Sequence, residues 1–147
     1  MLLLSEDVMK KIVDKKEVIN IIENAYRDLF IAEYEMPDRI TIDMGDSLLL
    51  YMPCIMEDFF STKMLTSFPN NPSKGLPLLD GTLTLHDRGN GRVLSIMDAN
   101  YLTALRTGAV GAVGVKYLSR ESDKNLGILG AGRQGFYQAV MSAEIHD

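Results

Sequence analysis

Apolar positions in this 147-residue chain first recur at helical spacing, then alternate, then crowd into a small-residue run. Ser5 can cap a short helix to about Ile12. Asp14, with Glu17 three residues on, resembles a capping box. The helix it opens is expected to run from Lys15 to about Tyr34, with Val18, Ile21, Ile22, Ala25 and Leu29 along one apolar face. Met36-Pro37 ends it. The period then drops to two. Ile40, Ile42 and Met44 alternate as in a half-buried strand, and Gly45-Asp46 is a turn. Residues 48–52 read as a second strand stopped by Pro53, residues 59–68 as a third, and residues 82–86 and 92–97 as a hairpin closed by the turn at 87–91. Residues 70–75 are loop by composition. The pattern predicts an α+β domain: helices plus a mostly antiparallel sheet.

Asp98 or Asn100 can cap a further helix to about Leu118, in which Ala104, Gly108, Ala109, Gly111, Ala112 and Gly114 are small. Each glycine costs a helix about 1 kcal/mol relative to alanine. Such a cluster implies that another backbone, from a helix or a ligand, approaches closely. A polar stretch to Lys124 follows. Leu126, Ile128 and Leu129 then suit a buried parallel strand, Gly130, Gly132 and Gly135 form G-x-G-x-x-G, and residues 136–145 continue as a helix. Strand, glycines and helix in that order point to a dinucleotide site. Gly130 permits the tight turn, Gly132 lets a pyrophosphate approach, and Gly135 lets helix and strand pack. The chain runs only twelve residues past Gly135, short of further βαβ units and of the acidic residue that holds a ribose about 20 positions on. It therefore reads as an α+β domain over 1–119, which the family resemblance described below makes the substrate-binding and dimerisation domain, leading into the first βα unit of a truncated Rossmann domain over 120–147.

Net charge is −5, which argues against a nucleic-acid surface. Cys54 is the only cysteine, so no disulfide forms within the chain, which fits a cytoplasmic protein; it is expected to be a buried, inert thiol. His86 and His146 lack ligand spacing, so no metal site is expected. No stretch is long enough to span a membrane.

Three cations stand out by their neighbours. Arg39 follows Pro37-Asp38 at the start of a strand, Lys63 lies between Phe59-Phe60 and Met64-Leu65, and Arg106 sits in the small-residue helix before Thr107. A guanidinium grips a carboxylate with paired hydrogen bonds, and a lysine in a dry pocket can trade protons. Together they suit a small anionic substrate such as an amino or keto acid. Equally, Arg39 can be a surface residue, Lys63 can point to solvent from an edge strand, and Arg106 can snorkel from its helix. The enzymatic expectation is that all three heads converge on one carboxylate-sized hollow beside the glycine turn.

Several spaced motifs in order resemble the ornithine cyclodeaminase/mu-crystallin family: Ser61-Thr62-Lys63, Ser67-Phe68-Pro69-Asn70-Asn71, Gly75-Leu76-Pro77, Leu102-Thr103-Ala104-Leu105-Arg106-Thr107-Gly108-Ala109 and Gly130-Ala131-Gly132-Arg133-Gln134-Gly135. The resemblance implies an NAD- or NADP-dependent enzyme acting on an amino acid or cyclic imine: an ornithine cyclodeaminase, an alanine dehydrogenase or a ketimine reductase. It implies that Arg39, Lys63 and Arg106 hold the substrate carboxylate, with Lys63 also handling protons. Arg106, Thr107, Gly130, Gly132, Arg133, Gln134 and Gly135 would meet the cofactor. It further implies a homodimer formed through the antiparallel layer. Family chains are about twice this length, so the chain looks like the front half of such an enzyme, inactive unless completed. The alternative is a non-catalytic ligand-binding or dimerisation module, as mu-crystallin suggests.

Overall fold

A computed structural model describes residues 1–145 of the protein. The elements run β1 (Leu2–Leu4), α1 (Glu6–Ile12), α2 (Lys15–Asp28), β2 (Ile40–Asp43), β3 (Leu48–Ile55), β4 (Phe59–Ser67), β5 (Leu79–Asp87), β6 (Val93–Asp98), α3 (Ala99–Leu118) and α4 (Arg133–Ser142). A single 3-10 turn, Pro72–Lys74, interrupts the loop between β4 and β5. The chain divides into two compact units, one of residues 1–9 and 33–100, the other of residues 10–32 and 101 onward.

The first unit is a six-stranded sheet in the order β1-β6-β5-β4-β3-β2. Strands β2 to β6 form an antiparallel meander, and β1 lies parallel to β6 with Leu3 opposite Ile96. The alternating pattern accounts for the meander. β1 was not foreseen, because three leucines at a terminus carry no periodicity and their partner is more than 90 residues away. Pro53 does not stop β3, which continues to Ile55. The reason lies in the pairing along that edge of β3. Ile55, two residues on, exchanges both backbone hydrogen bonds with Glu35 on the side of β3 away from β4. Pro53 turns its nitrogen to that same side, beyond the last β2 pair at Tyr51 and Ile40, where no ladder donor is required. The sheet's two buried residues, Leu65 and Ser95, lie on one face. Phe60 and His86 stack on the other, ring centroids 4.5 Å apart.

The second unit holds α2, α4 and nearly all of α3. Asp14 caps α2 by accepting from the Glu17 N–H at 2.8 Å, as the capping pattern predicts, but α2 ends at Asp28 rather than Tyr34. Its buried line is Ile19 and Glu23, while Ile21, Ala25 and Leu29 are exposed. Burial of a glutamate is what the apolar pattern missed, and Glu23 is held by three partners. Lys116 Nζ lies 2.5 Å from Oε2, Arg27 Nη2 lies 2.5 Å from Oε1, and the Tyr117 hydroxyl donates to Oε1. The Lys116 hydrogen bond, and then that of Tyr117, hold the Glu23 carboxyl below its ordinary value.

Gly108 of α3 does admit a second backbone. A Cβ on Gly108 would stand 2.5 Å from the Tyr137 carbonyl oxygen, and one on Gly111 would strike the Gln138 side chain. Gln138 Nε2 also donates to the Thr107 carbonyl at 3.0 Å, so α4 is notched into α3.

Candidate functional site

The glycine turn has the shape that phosphate binding requires, without the strand expected before it. Residues 126–129 pair with no strand among the described residues, and Leu129 is fully exposed. A parallel strand exists through its neighbours' hydrogen bonds; among the described residues no such neighbour is present, so apolar composition alone does not make one. The turn itself is formed. Gly130 has φ +96°, in the left-handed region open to glycine. A Cβ on Gly135 would come 2.1 Å from the Gly130 carbonyl oxygen, so only glycine lets the turn fold onto the helix. Gly132 is the N-cap of α4 and places no side chain over the first turn; nothing lies within 4 Å of where its Cβ would be. The chain thus leaves open space above the helix N-terminus, where amide groups and the helix dipole favour an anion. Arg133 opens α4, its guanidinium 5.9 Å from the centroid of the Tyr137 ring, and Gln134 follows it, exposed. These residues fit the pyrophosphate of a dinucleotide.

Thr107 and Arg106 are in the same unit on α3. The Thr107 hydroxyl donates to the Thr103 carbonyl at 2.6 Å, and the Thr107 carbonyl is the one that α4 engages through Gln138. Arg106 is exposed and lines a hollow of about 190 Å³ with Ile22, Ala25, Tyr26, Leu29 and Val110.

Arg39 and Lys63 belong to the sheet. Met52 pairs with Lys63, and Ile40 with Tyr51. Lys63 thus lies opposite Met52 on the face that carries Leu65 and Ser95, and Arg39 lies just before β2, one residue outside the last β2–β3 pair. Arg39 is exposed and Lys63 half-buried. Cys54, two residues from Met52 on that face, is half-buried rather than buried. The place of Lys63 opposite Met52 could be found from sequence only with the strand register in hand.

Among the described residues no group of three His, Cys, Asp or Glu side chains is placed to hold a metal ion, and no helix is long and apolar enough to cross a membrane. His146 lies outside the described residues.

A meander sheet, then a glycine turn that opens a helix, defines the class: an α+β domain leading into the start of a Rossmann-type unit. The chain belongs to the ornithine cyclodeaminase/mu-crystallin family, whose model matches residues 1–147. It is 31% identical over 146 residues to the alanine dehydrogenase of Archaeoglobus fulgidus, covering 99% of this chain and 45% of that protein. The structure of Thermococcus litoralis Δ1-pyrroline-2-carboxylate reductase, in complex with NADH and L-proline, superposes with a TM-score of 0.91 at 36% identity, over 99% of this chain and 46% of that one. That of an archaeal alanine dehydrogenase dimer with bound NAD gives 0.90 at 30% identity, over 99% and 45%. The chain therefore spans less than half the length of the relatives it matches.

Proposed function

We propose that this chain is the substrate-binding and dimerisation part of an NAD(P)-dependent amino-acid enzyme of the ornithine cyclodeaminase type. It interconverts an amino acid and its imine or keto form, with alanine, a cyclic imine or ornithine as the substrate class, and works in the cytoplasm as a homodimer. The observation that carries this is the uncapped glycine turn, open over Gly132, in a chain whose sheet holds a half-buried Lys63 opposite Met52.

Arg39 and Lys63, with Arg106 as the family resemblance implies, hold the substrate carboxylate. Lys63 gives and takes a proton at the substrate nitrogen or α-carbon substituent. Gly130 to Gly135 receive the pyrophosphate, with Arg133, Gln134 and Thr107 beside it. When bound, the nicotinamide supplies hydride transfer. The relatives in the two structures above hold NAD or NADH, one of them with L-proline and the other as a dimer, which supports the reading. The exposed edge strand β2 and the antiparallel layer are the proposed contact between copies.

The reading is tested by supplying the second half of the Thermococcus litoralis reductase in trans and following NADH absorbance with alanine, a cyclic imine or ornithine. Turnover that falls by a factor of about 10² or more on Lys63→Ala is expected for a group that moves protons. No turnover from a folded complex would leave the non-catalytic module as the answer. The chain alone is expected to bind dinucleotide no tighter than millimolar, and micromolar NAD binding by calorimetry would refute that part.

A further inference from the structure

We propose that the hollow between α2 and α3 reads the substrate's side chain, and that it selects the alanine and cyclic-imine classes, apolar beyond the carboxylate, over a diamino acid such as ornithine. The inference rests on the reading of Arg106 as a carboxylate-holding group and narrows that reading to a substrate class.

The hollow is lined by Ile22, Ala25, Tyr26 and Leu29 of α2 and by Arg106 and Val110 of α3, all in the second unit. Its walls follow from helix spacing. Residues 22, 25, 26 and 29 stand at i, i+3, i+4 and i+7 and share one face, and residues 106 and 110 are an i, i+4 pair. The α2 face is the apolar stripe that the sequence marks for burial, yet Ala25, Tyr26 and Leu29 are exposed. Ile19 and Glu23 take the buried side of α2, which leaves this stripe open.

Charge decides what the hollow can take. Arg106 is the one charged residue among the six that line it. Neither its side chain nor the Tyr26 hydroxyl has a hydrogen-bond or ion-pair partner among the described residues. Glu23, on the neighbouring face of α2, is already engaged by Lys116, Arg27 and Tyr117. A carboxylate on Arg106 meets two in-plane N–H donors with its two oxygens. The rest of the molecule then lies against four aliphatic side chains, those of Ile22, Ala25, Leu29 and Val110. An apolar chain gains from leaving water there. A second ammonium loses: no carboxylate lines the hollow to receive it, apolar walls strip water from it, and Arg106 repels it.

The test titrates the full chain with glycine, L-norvaline and L-ornithine and follows the methyl NMR signals of Ile22, Ala25, Leu29 and Val110. Norvaline and ornithine share the same straight side-chain carbons and differ by the terminal ammonium. Norvaline is expected to bind about eightfold tighter than glycine, since a fully buried CH₂ gives about fourfold and half-burial of each side-chain carbon about twofold. Ornithine is expected to bind at least about fivefold weaker than norvaline. Arg106→Gln should remove the shifts caused by all three. Ala25→Leu, at an exposed position, fills the hollow without adding charge and should cancel the advantage of norvaline over glycine. If ornithine binds as tightly as norvaline while Arg106→Gln abolishes both, the selection is wrong and the carboxylate reading of Arg106 stands. If Ala25→Leu leaves the advantage of norvaline intact, the side chain does not enter this hollow and the selection is again wrong. If none of the three moves the methyl signals, or Arg106→Gln changes nothing, the carboxylate reading itself has failed and the proposal with it.

Discussion

One substitution made twice on the same helix tests the α3–α4 packing. Gly108→Ala would put a methyl 2.5 Å from the Tyr137 carbonyl oxygen, 2.9 Å from its carbonyl carbon and 2.8 Å from Met141 Cγ. The methionine tip can rotate away, but the backbone of α4 cannot. To restore the 3.4 Å of ordinary contact the helix must withdraw by 0.9 Å. Overpacking of this kind costs about 1–3 kcal/mol, and stretching the Gln138 bond to the Thr107 carbonyl adds up to about 1 kcal/mol. Against this stands the helix-propensity gain of alanine over glycine, about 1 kcal/mol. The net is a destabilisation of up to about 3 kcal/mol. Gly114→Ala keeps the gain alone, because nothing lies within 4 Å of its added Cβ. Urea unfolding followed by circular dichroism should move the midpoint down by about 1 M for Gly108→Ala and slightly up for Gly114→Ala, with m unchanged. If alanine at 108 raises the midpoint as alanine at 114 does, α4 is not seated in the Gly108 notch and the reasoning is wrong.

The other predictions concern the buried carboxylate and the glycine turn. Glu23 has a folded-state pKa held down by Lys116 and Tyr117, so its stabilising contribution is complete above the ordinary carboxylate value and is lost as pH falls through the depressed one. Glu23→Gln should therefore be less stable than wild type at neutral pH, and the two urea midpoints should converge in acid; a constant gap would show that the Glu23 charge is not what the cluster stabilises. Gly132→Val should leave the urea midpoint within about 0.5 kcal/mol of wild type, since that Cβ meets no protein atom, yet it should abolish dinucleotide binding in the completed enzyme, as read by calorimetry. A variant that binds normally would mean that no ligand comes close to that position.

The chain by itself determined every element whose cause is local. Asp14 before Glu17 starts α2, alternation through residues 40–97 produces the antiparallel meander, and clustered glycines and alanines on α3 call for a close-packed backbone, which proved to be that of α4. The glycine spacing at 130, 132 and 135 likewise determined a turn that opens a helix, because left-handed φ and the absence of a Cβ are properties of single residues. Partners distant along the chain decided the rest. β1 is a strand only because β6 lies beside it, and β3 passes through Pro53 because β2 has already turned away. Glu23 is buried beside Ile19, off the face that Val18, Ile21, Ala25 and Leu29 mark, because Lys116 and Tyr117, more than 90 residues on, satisfy its charge. Residues 126–129 show the same rule from the other side: their apolar composition suits a strand, but a strand is made by its neighbour's hydrogen bonds, and among the described residues none is there to make them. Register alone set Lys63 opposite Met52, because which side chains share a row is a property of paired strands and not of either strand alone.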